Sequence, residues 1–416
     1  MILTPENMKE NIRILLPSSK SVSNRVLIIN ALSGNDELPL NVSDCDDTNV
    51  MINWLKERPQ TIDVGAAGTA MRFSTALLAL TDGEHIITGS TRMRQRPISV
   101  LVDALRSIGA DIDYLEQEGF PPLKINGKNS LEGGEISLRG DVSSQYISAL
   151  LMIAPYLQQG LTLHLTDNIV SRAYIDMTVD LMTEFGADVK WTDDATIIVR
   201  KGAYNKQKYV VESDWSASSY WYEILALSDE ATSVFLPNLM PESLQGDAAV
   251  ADIFEQLGIT TDFLLDAHDN CCARLSKTDE IAASFQYDFT EQPDLAQTFA
   301  VTCCMMNIPF HLKGLSTLRI KETDRLEALK TELAKLGFDI QVLNDSELLW
   351  DGKRRILTDE QLASIAIDTY DDHRMAMAFA PIALKNGTLT INHPEVVTKS
   401  YPHFWNDLQT AGFCIS

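Results

Sequence analysis

The stretch SSKSVSNRVLIINAL (18–32) runs from small polar residues straight into an apolar block, and the same transition recurs five more times. The others are GAAGTAMRFSTALLAL (65–80), GDVSSQYISALLMIAP (140–155), ESDWSASSYWYEILAL (212–227), EQPDLAQTFAVTCCMM (291–306) and DDHRMAMAFAPIAL (371–384). Ser, Thr, Asp or Asn ahead of an apolar run marks a helix N-terminus, where the first backbone N–H groups lack intrahelical partners. Those donors, with the peptide dipoles aligned behind them, attract anions. Several such termini turned into one space would form a pocket for a multiply charged anion.

A second pattern interleaves with the first. LVDALRSIGADIDYL, MTVDLMTEFGADVKW, DIFEQLGITTDFLL, LKTELAKLGFDIQVL and WNDLQTAGFCI each read as a helix, a glycine stop and a strand. Their glycines, Gly109, Gly186, Gly258, Gly337 and Gly412, are 77, 72, 79 and 75 residues apart. Glycine just past a helix enters the left-handed conformation without steric cost. The period exceeds that of a solenoid, so the repeat is a large α/β unit. PPLKING, TIIVRKG, ARLSK and ELLWDG follow as second strands, which makes each sheet mixed. The pattern predicts six βαβαββ-like units, three to a domain, divided near residue 210.

Composition narrows the function. At 416 residues the chain exceeds a single core. Its 34 basic and 58 acidic side chains leave a net charge of −24, which argues against a nucleic-acid partner. No run reaches the roughly 20 apolar residues of a membrane helix, and MILTPENMKENIRILLP lacks the basic and apolar blocks of a secretory signal. No membrane partner is therefore expected. The six cysteines lack metal or disulfide spacing, and the seven histidines form no HxxxH pair. Reduced thiols, a cytoplasmic setting and no metal are the expectations.

The cations Lys20, Arg25, Arg72, Arg92, Arg94, Arg96, Arg319, Lys321, Arg325, Arg374 and Lys399 concentrate in these helix-start and loop segments. Arg grips carboxylate or phosphate with two parallel hydrogen bonds, and Lys adds a compact charge. Asp294 and Glu322 stand among them. A site that merely bound anions would exclude acids, so general acid/base work accounts for their presence.

Nine motifs, from SSKSVSNR, GTAMR, RMRQRPI, VSSQ, SRAYID, PDLA and RIKETDRL to DDHRMAM and TKSYP, resemble those of the 5-enolpyruvylshikimate-3-phosphate synthase family. The resemblance spans nearly the whole chain. It implies a two-domain inverted α/β barrel, three βαβαββ units per domain, with the active site in the interdomain cleft. The domains would be 19–211, on the shikimate-phosphate side, and 1–18 plus 212–416, carrying the acid/base residues, with hinges near 17–21 and 210–214. The implied reaction moves the enolpyruvyl group of phosphoenolpyruvate to the 5-hydroxyl of shikimate 3-phosphate by addition and elimination. It needs no cofactor, and family members are commonly monomers.

Carried over residue by residue, Lys20, Ser21, Arg25, Ser143, Ser144, Gln145, Ser171, Tyr174, Asp294, Thr317 and Lys321 would hold shikimate 3-phosphate. Lys20, Gly68, Arg96, Gln145, Arg325, Arg374 and Lys399 would hold phosphoenolpyruvate. Glu322, with Lys399, would handle the proton at the methylene carbon, Asp294 would take the hydroxyl proton, and Lys20 would lie near the departing phosphate. Mutual repulsion of the cationic faces implies an open form that closes on its anionic ligands.

The chain departs from the family pattern at Ser18, Ala66, Phe73 and Thr317, where Gly, Asn, Pro and Asn are common. Gly68 implies sensitivity to glyphosate, the family's phosphoenolpyruvate-competitive inhibitor. One alternative is the related enolpyruvyl transferase acting on UDP-N-acetylglucosamine, but its reactive loop cysteine has no counterpart in RMRQRPIS. Others are an RNA 3′-phosphate cyclase and a non-catalytic anion-binding relative.

Overall fold

A computed structural model describes residues 1–6, 8–228, 232–265 and 271–416. The chain divides into two compact units, a smaller one of residues 18–211 and a larger one of 1–17 with 212–416.

Strands β1 (Ile2–Pro5) and β2 (Asn11–Arg13) open the chain within the larger unit. The smaller unit begins with helices α1 (Lys20–Ser33) and α2 (Asp46–Glu57). It continues as β3 (Thr61–Asp63), α3 (Gly68–Ala79), β4 (Gly83–Thr88), α4 (Ser99–Ser107), β5 (Asp111–Tyr114) and β6 (Leu123–Gly127). The same βαβαββ succession repeats as β7 (Gly134–Arg139), α5 (Ser144–Ile153), β8 (Leu161–Thr166), α6 (Arg172–Glu184), β9 (Val189–Trp191) and β10 (Thr196–Val199).

In the larger unit, β2 leads by way of α7 (Trp215–Leu227) to β11 (Ser233–Pro237), α8 (Val250–Glu255), β12 (Leu257–Leu265) and β13 (Cys271–Ile281). Next come β14 (Phe285–Asp288), α9 (Ala296–Met305), β15 (Phe310–Lys313), α10 (Arg325–Lys335), β16 (Gln341–Leu343) and β17 (Glu347–Trp350). After the short α11 (Asp359–Ala363), the last repeat holds β18 (Ala366–Ile367), α12 (His373–Phe379), α13 (Ala383–Asn386), β19 (Leu389–Ile391), α14 (Phe404–Ala411) and β20 (Phe413–Ile415).

Among the described residues, five four-stranded sheets share one connectivity, as in the order β3-β4-β6-β5. The first two strands run parallel because a helix carries the chain back between them, and the hairpin pairs antiparallel. In the last sheet the fourth place belongs to β1, which pairs antiparallel with both β19 and β20. The N-terminal strand thus closes the C-terminal repeat.

Six equal units are the expectation, yet α1 and α2 have no four-stranded sheet among the described residues. A parallel bridge, Leu40 to Val210, accompanies them. The reason lies in chain length: α2 ends at Glu57 and β3 starts at Thr61, which leaves no residues for a hairpin.

Each of the six polar-to-apolar stretches contains a helix, and these helices form the inner layer of their units. All twelve residues of α3 and all ten of α9 are buried, as are all of α7 except Ser216. A helix buried on every side needs a continuous apolar run rather than a stripe. Strands such as β6 and β10 instead alternate buried and half-buried residues, as expected for an outer layer packed on one face. Gly337 shows the stop at work. Its φ is +92°, and a Cβ there would lie 2.3 Å from the Arg355 carbonyl oxygen. No helix among the described residues is long and apolar enough to cross a membrane.

Candidate active site

The larger unit gathers its charges where three of its helices begin. Asp294 lies in the 3-10 turn leading into α9, Arg325 opens α10, and Asp372 caps α12 by accepting the Arg374 N–H at 2.9 Å. Arg325 is the hub and is 1% exposed. Its Nε and Nη2 reach the two oxygens of Asp372 at 2.6 and 3.2 Å, Nη1 reaches Asp294 at 2.8 Å, and Nη2 also reaches Glu322 at 3.0 Å. Fully buried Asp372 is thereby held by a planar two-point contact, the strongest geometry open to this ion pair.

Around the hub, Asp294 also meets Lys321 at 3.3 Å and Arg374 at 3.1 Å. Glu322 accepts from Lys399 Nζ at 2.6 Å. Burial alone would raise the Asp294 carboxyl, but Arg374, Lys321 and Arg325 outweigh it and hold the group well below the usual carboxylate range. Burial pulls Lys321 below an ordinary lysine, against the pull of Asp294. Asp247, bonded by the Ser216 hydroxyl, behaves oppositely: burial lifts it to about 6, although Arg374 counteracts. Thr317 lies in the 3-10 turn Ser316–Ile320, and its buried hydroxyl finds no protein partner among the described residues.

In the smaller unit the polar ends of α1, α3, α5 and α6 carry the remaining candidates. Ser19 caps α1 by accepting the Val22 N–H, and Lys20 in the first turn lies 3.4 Å from Asp47 at the start of α2. Ser21 supplies a backbone oxygen to Arg25. Arg25, 2% exposed, donates to Ser21 O, Thr178 Oγ1, Ser148 Oγ and Tyr174 O at 2.7–3.1 Å. Burial lowers its guanidinium to about 10. Phe73 lies beneath it, with the guanidinium carbon 5.3 Å from the ring centroid. The aromatic ring at that position therefore serves as a support for the arginine.

Gly68 begins α3, whose cap residue Ala67 offers no side-chain acceptor. A Cβ on Gly68 would stand 2.9 and 3.2 Å from the two Nη atoms of Arg96 and 3.3 Å from Nη1 of Arg72. The missing side chain is what lets two guanidinium groups settle over this helix end. Arg72 donates to Gly68 O and lies over the Tyr146 ring. Ser143 caps α5 through the Gln145 N–H, and Gln145 Nε2 donates to Thr69 Oγ1 at 3.2 Å. Ser144, the first residue of α5, is buried. Ser171, with a left-handed backbone, leads α6 without using its hydroxyl as a cap, and Tyr174 follows in the first turn.

Within the larger unit the structure brings together Asp294, Lys321, Glu322, Arg325, Arg374 and Lys399. Within the smaller one it groups Gly68, Arg72 and Arg96, joins Gln145 to Thr69, and links Arg25 to Ser21 and Tyr174. Other cations of the motifs go elsewhere. Arg94 pairs with exposed Glu116, and Arg319 pairs with Asp324, Asp345 and Glu327. Three acids escaped the sequence reading: Asp47, Asp247 and Asp372. Asp47 and Asp372 head helices, where an acid reads as an ordinary cap. Only their long-range partners reveal more.

A family model described as EPSP synthase (3-phosphoshikimate 1-carboxyvinyltransferase) matches residues 56–408. A protein of that activity name from Bacteroides fragilis strain YCH46 is 53% identical over 415 residues, covering 100% of this chain and 98% of its own. One from Photobacterium damsela subsp. piscicida is 36% identical, with 98% of each covered. The solved EPSP synthase of Acinetobacter baumannii superposes with a TM-score of 0.76 at 20% identity, over 100% of this chain and 99% of that one, and shares the mixed α/β fold. With the model matched along most of its length and full-length relatives above 30% identity, this chain belongs to the EPSP synthase family.

Proposed function

We propose that this chain transfers the enolpyruvyl group of phosphoenolpyruvate to shikimate 3-phosphate, with residues of both polar clusters taking part in the one reaction. The inverted-barrel arrangement belongs to the same reading. One observation carries it. Asp294 and Glu322 sit inside a cationic cluster with Arg325, Arg374, Lys321 and Lys399, where pure anion binding would disfavour acids.

In this reading Arg325, Arg374 and Arg96 grip the anionic ends of phosphoenolpyruvate. Lys20, Ser143, Ser144 and Ser171 hold the shikimate phosphate, with Thr317 and Lys321 beside the ring. Glu322, fed through the 2.6 Å bond from Lys399, delivers a proton to the methylene carbon, which leaves the central carbon cation-like. The ring hydroxyl attacks that carbon as its proton passes to Asp294. The new methyl group then returns a proton and phosphate departs beside Lys20, its charge met by the arginines.

The low affinity of Asp294 for a proton in the free protein fits a timed base. Anionic substrates draw Arg374, Arg325 and Lys321 toward themselves, and the carboxylate becomes more basic when it is needed.

Phosphate release from phosphoenolpyruvate should depend strictly on shikimate 3-phosphate. Asp294→Ala and Glu322→Ala should each retain less than about a tenth of wild-type turnover. Turnover above that level in either variant rejects its assignment.

A further inference from the structure

Helix α10 carries two charged groups on one face, Arg325 at its start and Glu332 seven residues on, a spacing of almost two whole turns. Arg325 holds Asp372. Glu332, whose side chain is 0% exposed, reaches the segment just before it. One carboxylate oxygen accepts the Tyr370 hydroxyl at 2.6 Å, and the other accepts the Asp368 N–H at 3.1 Å. Lys335 Nζ braces the same place, 2.7 Å from Glu332 and 2.9 Å from Asp368. Asn392 donates to the other Asp368 oxygen at 2.7 Å.

The clamped segment is strained. Tyr370 and Asp371, neither of them glycine, have φ of +54° and +55°. Each left-handed residue of this kind costs about 1 kcal/mol or more and persists only where its surroundings hold it. The turn, closed by Asp372 N–H to Thr369 O at 2.8 Å, delivers Asp372 to Arg325 and starts the helix that aims Arg374 at Asp294. A buried carboxylate is a costly device where core packing alone would serve. Its acceptors, however, meet the Asp368 N–H just before this turn and the Tyr370 hydroxyl within it.

We propose that Glu332 is a positioning residue that holds the Tyr370–Asp371 turn left-handed and so fixes Arg374 for the substrate. The inference rests on the reading of Arg374 as a substrate grip. It goes further by assigning the accuracy of that grip to a carboxylate in a different helix.

A kinetic double-mutant cycle tests it, with Glu332→Gln, Tyr370→Phe, Arg374→Lys and their combinations. Assays run well below every melting temperature, with folding checked by circular dichroism. Glu332→Gln should lower kcat/KM about tenfold, mostly through KM for phosphoenolpyruvate, and Tyr370→Phe roughly threefold. In the Arg374→Lys background either change should cost less than about twofold, since the fork it aims is gone. Equal losses in both backgrounds, or a destabilised Glu332→Gln enzyme with kcat/KM within about twofold of wild type, would overturn the inference. If Glu332→Gln fails to fold, the half-exposed Tyr370 ring makes Tyr370→Phe the variant that decides. Full activity of Arg374→Lys alone would overturn the role of Arg374 and the inference with it, and the single variant identifies that failure separately.

Discussion

The two clusters use different chemistry for related tasks. In the larger unit four cations, Lys321, Arg325, Arg374 and Lys399, are interleaved with three carboxylates, Asp294, Glu322 and Asp372. In the smaller unit, Lys20 has Asp47, while Arg25 donates to hydroxyls and carbonyls among the described residues, and Arg72 reaches carbonyls and a thioether. A nearly neutralised cluster suits proton transfer, because a small shift of one cation changes the basicity of its acid. A cation held by neutral groups, as Arg25 is, keeps its full charge for a dianion.

Arg325→Met tests that contrast most severely. It leaves Asp372 buried without its partner, and the unfolding free energy should fall by about 3–5 kcal/mol with loss of turnover. Denaturant unfolding and phosphate release check this. A milder loss would mean that the neighbouring cations can replace the hub.

Gly68→Ala sharpens the view of the smaller unit. The new methyl displaces the Arg96 guanidinium from contact at 2.9 Å, so KM for phosphoenolpyruvate should rise about tenfold. Stability should change by less than about 1 kcal/mol, because the position is a helix start with ordinary φ. Steady-state kinetics beside a melting curve separates the two effects.

Asp247 gives a pH signature. Its native pKa of about 6 exceeds the unfolded value near 3.8, so the native state binds more protons between the two. Its contribution is most favourable below pH 4, declines as pH rises toward 6, and is constant above. Asp247→Asn removes this term, and the variant should gain roughly 2–3 kcal/mol on wild type between pH 4 and 7. Parallel stability curves for the two proteins would refute it. The smallest effect belongs to Arg94→Ala. Its pair with exposed Glu116 is worth less than about 1 kcal/mol, and turnover should not change.

The six helix starts were readable because their signal is local: small polar residues, then an apolar run, in a buried helix that needs no stripe. The glycine stops were readable for the same reason. The sixth repeat was over-read. Its polar start looks like the others, whereas the missing hairpin is visible only in the three residues between α2 and β3. Arg94 and Arg319 misled because motif membership does not determine the direction of a side chain. Their carboxylate partners on nearby loops settle it.

Residue chemistry by itself established the helix ends, the anion-seeking cations and the two acids placed among them. Only tertiary structure decided that β1 completes the C-terminal sheet, that Arg325 joins Asp294, Glu322 and Asp372, and that Glu332 grips a turn 38 residues away. Capping and periodicity act between neighbours along the chain. An ion pair depends on where distant segments cross, and that position is set by the packing of the whole unit.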